Sequence, residues 1–219
     1  MKKSCLILAI IALSFFFVSC KNAVNLEMYL SENRHSVYYG SFDDYSLSVY
    51  LEEKESPYLS DGYVGEIKKY ITVRVEDYRS ALNDASVTII FGDKEYFGKF
   101  NYSPLDGKFI TEIEVDKLPN HNELTLKLSS SGVENVFTLS KLESSKISYK
   151  TALDKVAYYK SKEIQKMLSG SGATIETRVR VLNEDKNVYY YVSITDQSGS
   201  TIAFLVDGAT GEILAEKTF

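Results

Sequence analysis

The sequence predicts a mainly β, α+β protein. An antiparallel β-sandwich of immunoglobulin-like architecture comes first, then a small unit of one helix on an antiparallel sheet. Three observations carry that expectation. Apolar residues recur with period two from Tyr45 to Lys141, the period lengthens between Ala152 and Leu168, and alternation returns from Ile175 to Leu214. Period two puts one strand face in a core and the other in water, whereas i, i+3, i+4 spacing gives a helix a single apolar stripe.

The first segment, residues 1–19, reads as an export signal. Met1-Lys2-Lys3 is a short basic start, and Leu6–Val18 is apolar apart from Ser14. As a helix those residues would be about 20 Å long at about 1.5 Å each, too short for a hydrocarbon core of about 30 Å. A basic flank, a short apolar core and a small residue before the break describe a signal peptide. Phe17 is too large for ordinary cleavage before Cys20. Phe17-Val18-Ser19-Cys20 resembles the lipobox of bacterial lipoproteins instead, with Phe where Leu is usual. That resemblance implies lipidation of the Cys20 sulfur, cleavage before it, and stable attachment, because two acyl chains hold where one is marginal.

Cysteine and charge narrow the function classes. The chain has two cysteines, Cys5 and Cys20, and Cys5 lies in the segment to be removed. A mature, lipidated chain would have no thiol for a disulfide, a zinc site or a nucleophile. Without Lys2 and Lys3, 23 basic residues face 30 acidic ones, a formal charge of −7. That sign is wrong for binding phosphate backbones, so nucleic acid is not an expected partner. It also opposes adsorption to anionic lipid, which leaves the acyl chains as the means of attachment.

Residues 20–44 comprise the lipidated cysteine and a polar, poorly periodic stretch, expected to be a flexible tether. The sandwich is expected over residues 45–141. Ile71, Val73 and Val75 alternate with Thr72 and Arg74, while Val87, Ile89 and Phe91 repeat the pattern. Phe109, Ile113 and Val115 alternate with Glu112 and Glu114, and Leu124, Leu126 and Leu128 with Thr125 and Lys127. Turn-forming pairs fall between them: Asp61-Gly62, Asn83-Asp84, Asp106-Gly107, Pro119-Asn120 and Ser131-Gly132. Leu142–Lys146 reads as a linker. Ser148 is placed to cap a helix carrying Ala152, Leu153, Val156, Ala157, Ile164, Met167 and Leu168, which Ser169-Gly170-Ser171-Gly172 ends. Ile175–Val181, Val188–Ile194, Ile202–Val206 and Ile213–Leu214 then form the small sheet. At roughly 70 residues this last unit is near the lower limit for an independent core and is expected to dock on the first.

Two stretches of the last unit resemble the PepSY domain family. Ile147-Ser148 with Ala152-Leu153 and Val156-Ala157 is similar to the family's opening helix. Val206-Asp207-Gly208-Ala209-Thr210-Gly211-Glu212-Ile213-Leu214 resembles its closing hairpin. The resemblance covers residues 147–219. It implies a noncatalytic module that inhibits, chaperones or regulates a secreted peptidase, or binds an envelope component. No H-E-x-x-H follows in this chain, so any regulated peptidase would be a separate protein. Turn chemistry alone explains Asp207, Gly208, Thr210 and Gly211, since Asp and Thr bond nearby amides and Gly supplies positive φ.

No residue pattern for catalysis stands out. His35 and His121 are the only histidines, too few and too dispersed for a zinc site. G-x-S-x-G and S-x-x-K are absent. The carboxylates Asp43, Asp44, Glu52, Glu53 and Glu55 read as solvated strand and turn residues, and Asn183–Asn187 as a hairpin turn that lacks the glycine and closing glutamate of a calcium loop. Seventeen tyrosines follow Cys20, and Tyr189-Tyr190-Tyr191 must place Tyr190 opposite its neighbours. Tyrosine suits strand cores and binding surfaces alike.

The expectation is a noncatalytic lipoprotein, without cofactor or metal, exported and held on the cell membrane through Cys20 facing outward. Its role is binding or regulation. The partner would be an extracellular peptidase engaged by residues 147–219, or an envelope polymer or host ligand engaged by the sandwich. A carboxylate-based surface hydrolase is the competing class.

Overall fold

The alternating segments form strands, but the strand that organises the molecule lies ahead of them. The computed structural model describes residues 23–219, apart from 60, 78–81, 83, 143–144 and 185–186. A 3-10 turn, Leu26–Tyr29, leads into β1, Leu30–Ser41. The first region continues with β2 (Tyr45–Glu55), β3 (Ile67–Asp77), β4 (Ser86–Phe91), β5 (Lys94–Lys99), β6 (Asn101–Ser103), β7 (Lys108–Glu114), β8 (Glu123–Ser130) and β9 (Val133–Lys141). Helices α1 (Tyr149–Tyr159) and α2 (Ser161–Met167) precede β10 (Ile175–Glu184), β11 (Asn187–Asp196), β12 (Thr201–Asp207) and β13 (Ile213–Thr218). The protein is therefore mainly β, built on one large and mostly antiparallel sheet.

The tether expected over residues 20–44 is corrected by β1. Along one edge β1 pairs antiparallel with β2, from Glu32↔Lys54 to Ser41↔Ser46. Its other edge is shared. Leu30–Arg34 pair in parallel with Thr177–Arg180 of β10, and Tyr38–Tyr39 pair antiparallel with Ser140–Lys141 of β9. The sheet thus runs unbroken across the boundary expected between residues 141 and 147, and one of its pairings is parallel rather than antiparallel. Hydropathy hides this strand because Ser31, Glu32, Asn33, Arg34 and Ser36 are all buried. Partners on neighbouring strands, not apolar side chains, make their burial tolerable.

Two apolar clusters lie along the sheet. In the first, Leu47, Val49 and Leu51 of β2 and Ile71, Val73 and Val75 of β3 meet Val87, Ile89 and Phe91 of β4 and Leu124, Leu126 and Leu128 of β8. Each such side chain contributes about 1.5–3 kcal/mol by leaving water. Tyr38 of β1 joins them, fully buried, and its hydroxyl donates to the His121 carbonyl at 2.6 Å. Burial pushes that phenol up to about 12, so it remains a donor.

The second cluster lies under the helices. Ala152, Leu153, Val156 and Ala157 of α1 and Ile164 of α2 cover Ile175, Val179, Tyr190, Val192, Ile194, Phe204 and Val206, and Leu26 closes the cluster. Ser148 caps α1, accepting from Thr151 N at 3.1 Å. The single expected helix is two, because Lys160 (φ −111°, ψ 26°) leaves helical geometry. Its ammonium group reaches Glu216 of β13 at 2.9 Å.

Candidate functional site

One face of β1, β2, β3 and β10 points away from both apolar clusters, and there the alternate positions carry charge. Glu32 and Arg34 of β1 lie beside Lys54 and Glu52 of β2 and beside Arg178 and Arg180 of β10. Arg180 grips Glu32 with two bonds of 2.6 Å. Arg34 Nε donates to Glu52 at 3.3 Å, and its Nη2 lies 3.8 Å from Glu32. Glu52 also accepts from Lys54 at 3.1 Å and from the Thr72 hydroxyl at 2.7 Å. Lys54 reaches on to Glu112 of β7. Three carboxylates thus meet three cations, so this partly buried network carries no net charge. Such a network is a poor source of stability compared with apolar packing, but it penalises every register that leaves a charge unpaired.

The carboxyl of Glu52 shows how the balance falls. Burial raises its pKa, yet Lys54, Arg34 and the Thr72 hydroxyl outweigh burial and hold it below the ordinary carboxylate range. Glu176 of β10 has the opposite fate. It has no exposed surface, and burial raises its pKa despite a 2.6 Å bond from the Tyr58 hydroxyl and Arg178 at 3.8 Å. The second oxygen of Glu176, Nε of Arg178 and the hydroxyl of Ser193 are buried without hydrogen-bond partners among the described residues. Tyr58 covers this block, its ring 5.0 Å from the Arg178 guanidinium carbon.

A groove opens where β10 leaves β1. The pairing ends at Arg34↔Arg180, and β1 passes to β9, with Leu142 N donating to Val37 O at 2.9 Å. Beyond that point Val181–Glu184 still pair with β11, but their other edge meets no strand among the described residues. The wedge between them has a volume of about 610 Å³. Its walls are Val37, Tyr39, Tyr50, Leu142, Val181 and Leu182, with Arg34, Ser48, Asn183 and Glu184 as polar groups. The Arg34 guanidinium stacks 4.0 Å above the Tyr50 ring, and Arg74 lies 5.5 Å from the same ring. Asn183 Oδ1 is buried and has no hydrogen-bond partner among the described residues. Apolar walls, a stacked cation and an open strand edge suit an extended peptide, whose backbone bonds the edge while alternate side chains fill the wedge.

The residues singled out from sequence scatter. Cys20, like Cys5, lies outside the described residues. His35 faces Glu53 at 3.0 Å and packs edge-on against Tyr149, whereas His121 packs against Phe91 about 6.1 Å away. Among the described residues no group of three or more His, Cys, Asp or Glu side chains could hold a metal ion. Tyr190 is buried in the second cluster and its hydroxyl lies 2.5 Å from Ser145 Oγ, while Tyr189 and Tyr191 are half-buried on the outer face. Asn183 and Glu184 pair with Val188 and Asn187.

The Asp207–Glu212 segment is a turn whose bonds all serve the fold. Asp207 accepts from Ala209 N, Thr210 N and Thr210 Oγ1 at 2.7–2.9 Å, and these bonds hold its carboxyl below the usual range. Gly208 donates to Val188 O and accepts from Lys146 N and Ile147 N. A Cβ at Gly208 would stand 2.5 Å from Val188 O, which accounts for glycine there. The turn thereby fastens the segment leading into α1.

Arg34, Tyr50 and Leu182 were not singled out by sequence, and Asn183 was read there only as part of a hairpin turn. The available signal was the twin pattern Glu32-x-Arg34 and Arg178-x-Arg180, which gains meaning only when the parallel register is known. No helix among the described residues is long and apolar enough to cross a membrane. No family model, curated protein or solved structure matches the chain.

Proposed function

We propose that this protein is a noncatalytic cell-surface lipoprotein, held through lipidated Cys20, that binds an extended segment of a partner protein in the groove beside β10. In this reading β2–β9 with the end of β1 form a β-sandwich, and α1 to β13 form a PepSY-like unit docked on it through the first half of β1. The observation that carries the reading is the edge of Val181–Glu184, unpaired on that side among the described residues, facing apolar walls. A strand edge next to a groove is a ready template for strand addition. Extracellular peptidases are the partner class that the PepSY resemblance implies.

A photo-crosslinking residue at Leu182, on intact cells, tests this. The expected result is one defined extracellular protein joined at Leu182, lost when Tyr39→Ala cuts away a wall of the groove. The same residue placed at exposed Phe97 on β5 should capture nothing. Adducts that form equally at both positions, or at neither, would remove the groove as the binding site.

A further inference from the structure

A pocket opens at the seam between the two apolar clusters, and a bulge in β1 brings a histidine to it. β1 pairs with β2 as Arg34↔Glu52 and then as Ser36↔Leu51, so His35 is the extra residue. Such a bulge re-aims a side chain away from its regular alternation. Lys69, Lys117 and Lys141 line the pocket together with His35 and Glu53, around a volume of about 440 Å³. Leu51 and Leu118 on one side belong with the first cluster. On the other, His35 packs edge-on against Tyr149, which borders the second.

Charge sets this pocket apart from the rest of the molecule. Three lysines against one glutamate leave a surplus of two positive charges, in a chain whose formal charge is −5. The glutamate is already engaged, since Glu53 faces His35 at 3.0 Å and Lys69 at 4.0 Å. Lys69 also donates to the Asp116 carbonyl at 3.3 Å. Lys117 and Lys141 have no carboxylate within 4.0 Å among the described residues. Cations gathered without counter-charges repel one another, and an anion between them reverses the sign of that interaction. Ser36 gives a second, independent indication. It is 7% exposed and lines the pocket, and its hydroxyl has no hydrogen-bond partner among the described residues. Polar groups buried to that degree normally have one.

We infer that this pocket binds a phosphate group carrying two negative charges, free or as a monoester. Lys69, Lys117 and Lys141 neutralise it, while Ser36 and Asn120, which also line the pocket, supply neutral donors. Lysine serves phosphate as a point charge with three rotatable donors. A phosphate monoester carries about −1.5 to −2 at neutral pH, which matches the surplus of two. Leu51, Leu118 and Pro119 give the pocket an apolar wall, suited to the organic part of an ester. The acidic chain as a whole opposes long polyanions, whose phosphates extend beyond the pocket, but not a single phosphate seated within it. The inference is independent of the groove beside β10 and of lipidation at Cys20.

The test titrates the purified full-length protein with inorganic phosphate and with glycerol 3-phosphate at constant ionic strength. The readout is the His35 ring signal by NMR, readily assigned because only one other histidine is present. A saturable shift, weakened several-fold by Lys117→Gln and by Lys141→Gln but unchanged by Lys217→Gln on β13, supports the site. Glu53→Gln, which removes the one negative charge of the pocket, should tighten binding several-fold, a gain that damaged folding does not produce. Dimethyl phosphate, with a single charge, should bind several-fold more weakly than inorganic phosphate. Tighter binding of glycerol 3-phosphate than of inorganic phosphate assigns the ester as the source, and equal or weaker binding assigns the free ion. A shift that never saturates, or that all three lysine variants reduce alike, overturns the site. So does a Glu53→Gln variant that binds no better than the parent, or dimethyl phosphate that binds as well as the dianion.

Discussion

The two apolar clusters use the same alternating strands but are closed in different ways. In the first, strands meet strands: β2 and β3 face β4 and β8, and the contributors from these four strands follow period two. In the second, α1 and α2 supply the lid over β10–β12, and Leu26 completes it from a segment ahead of β1. The difference shows that neither region owns β1. Its first half pairs with β10 and its second half with β9, while Glu32 and Arg34 tie Arg180 to Glu52 across the boundary. The comparison therefore predicts two cores but one cooperative unit.

Phe204→Ala puts that unity to the largest test. Phe204 is fully buried beneath α1, and removing a buried phenyl ring costs about 3–5 kcal/mol. A single urea transition is expected to shift, with amide exchange accelerating in β2 and β4 as well as in β11 and β12. Two separated transitions, with β4 and β8 protected as before, would make the regions independent domains and reduce β1 to a strap.

Much of this division was legible in the sequence. Ile71–Val75, Val87–Phe91 and Leu124–Leu128 announced their buried faces, and Ser148 marked the start of α1. The failure at β1 has a physical cause. Hydrophobic periodicity detects strands that bury hydrocarbon, and Ser31-Glu32-Asn33-Arg34 buries polar groups whose compensation lies 18 to 148 residues away. A parallel pairing across that separation leaves no local trace. The groove was invisible for the same reason, being made by the divergence of two strands whose pairing was itself unreadable.

The boundary network gives a smaller, sharper test. Glu32→Gln leaves Arg180 without its two-bond partner. Losing one member of a buried pair costs about 3–5 kcal/mol, and partial exposure of Arg180 reduces this to about 2. Adding Arg180→Met, which removes the stranded cation, should restore much of the loss. If the double variant is no more stable than Glu32→Gln alone, the network does not set the register between the regions.

The smallest effect compares one buried carboxylate from each region. Glu52 is fully partnered and its folded pKa is lowered, so its contribution is present above the unfolded value of about 4.3 and is lost as pH falls through the folded one. Glu176 keeps an unpartnered oxygen and its folded pKa is raised, so its contribution is present below about 4.3 and is lost as pH rises through the folded one. Glutamine at each position should therefore act in opposite directions in urea unfolding. Glu52→Gln should weaken the protein near neutral pH and lose that effect in acid. Glu176→Gln should match the parent in acid and exceed it near neutral pH, where the parent must hold a charge in a half-satisfied site. If Glu176→Gln instead weakens the protein at neutral pH, the carboxylate is being stabilised by its neighbours. Tyr58 and Arg178 would then satisfy it fully, and the two regions would treat buried charge alike.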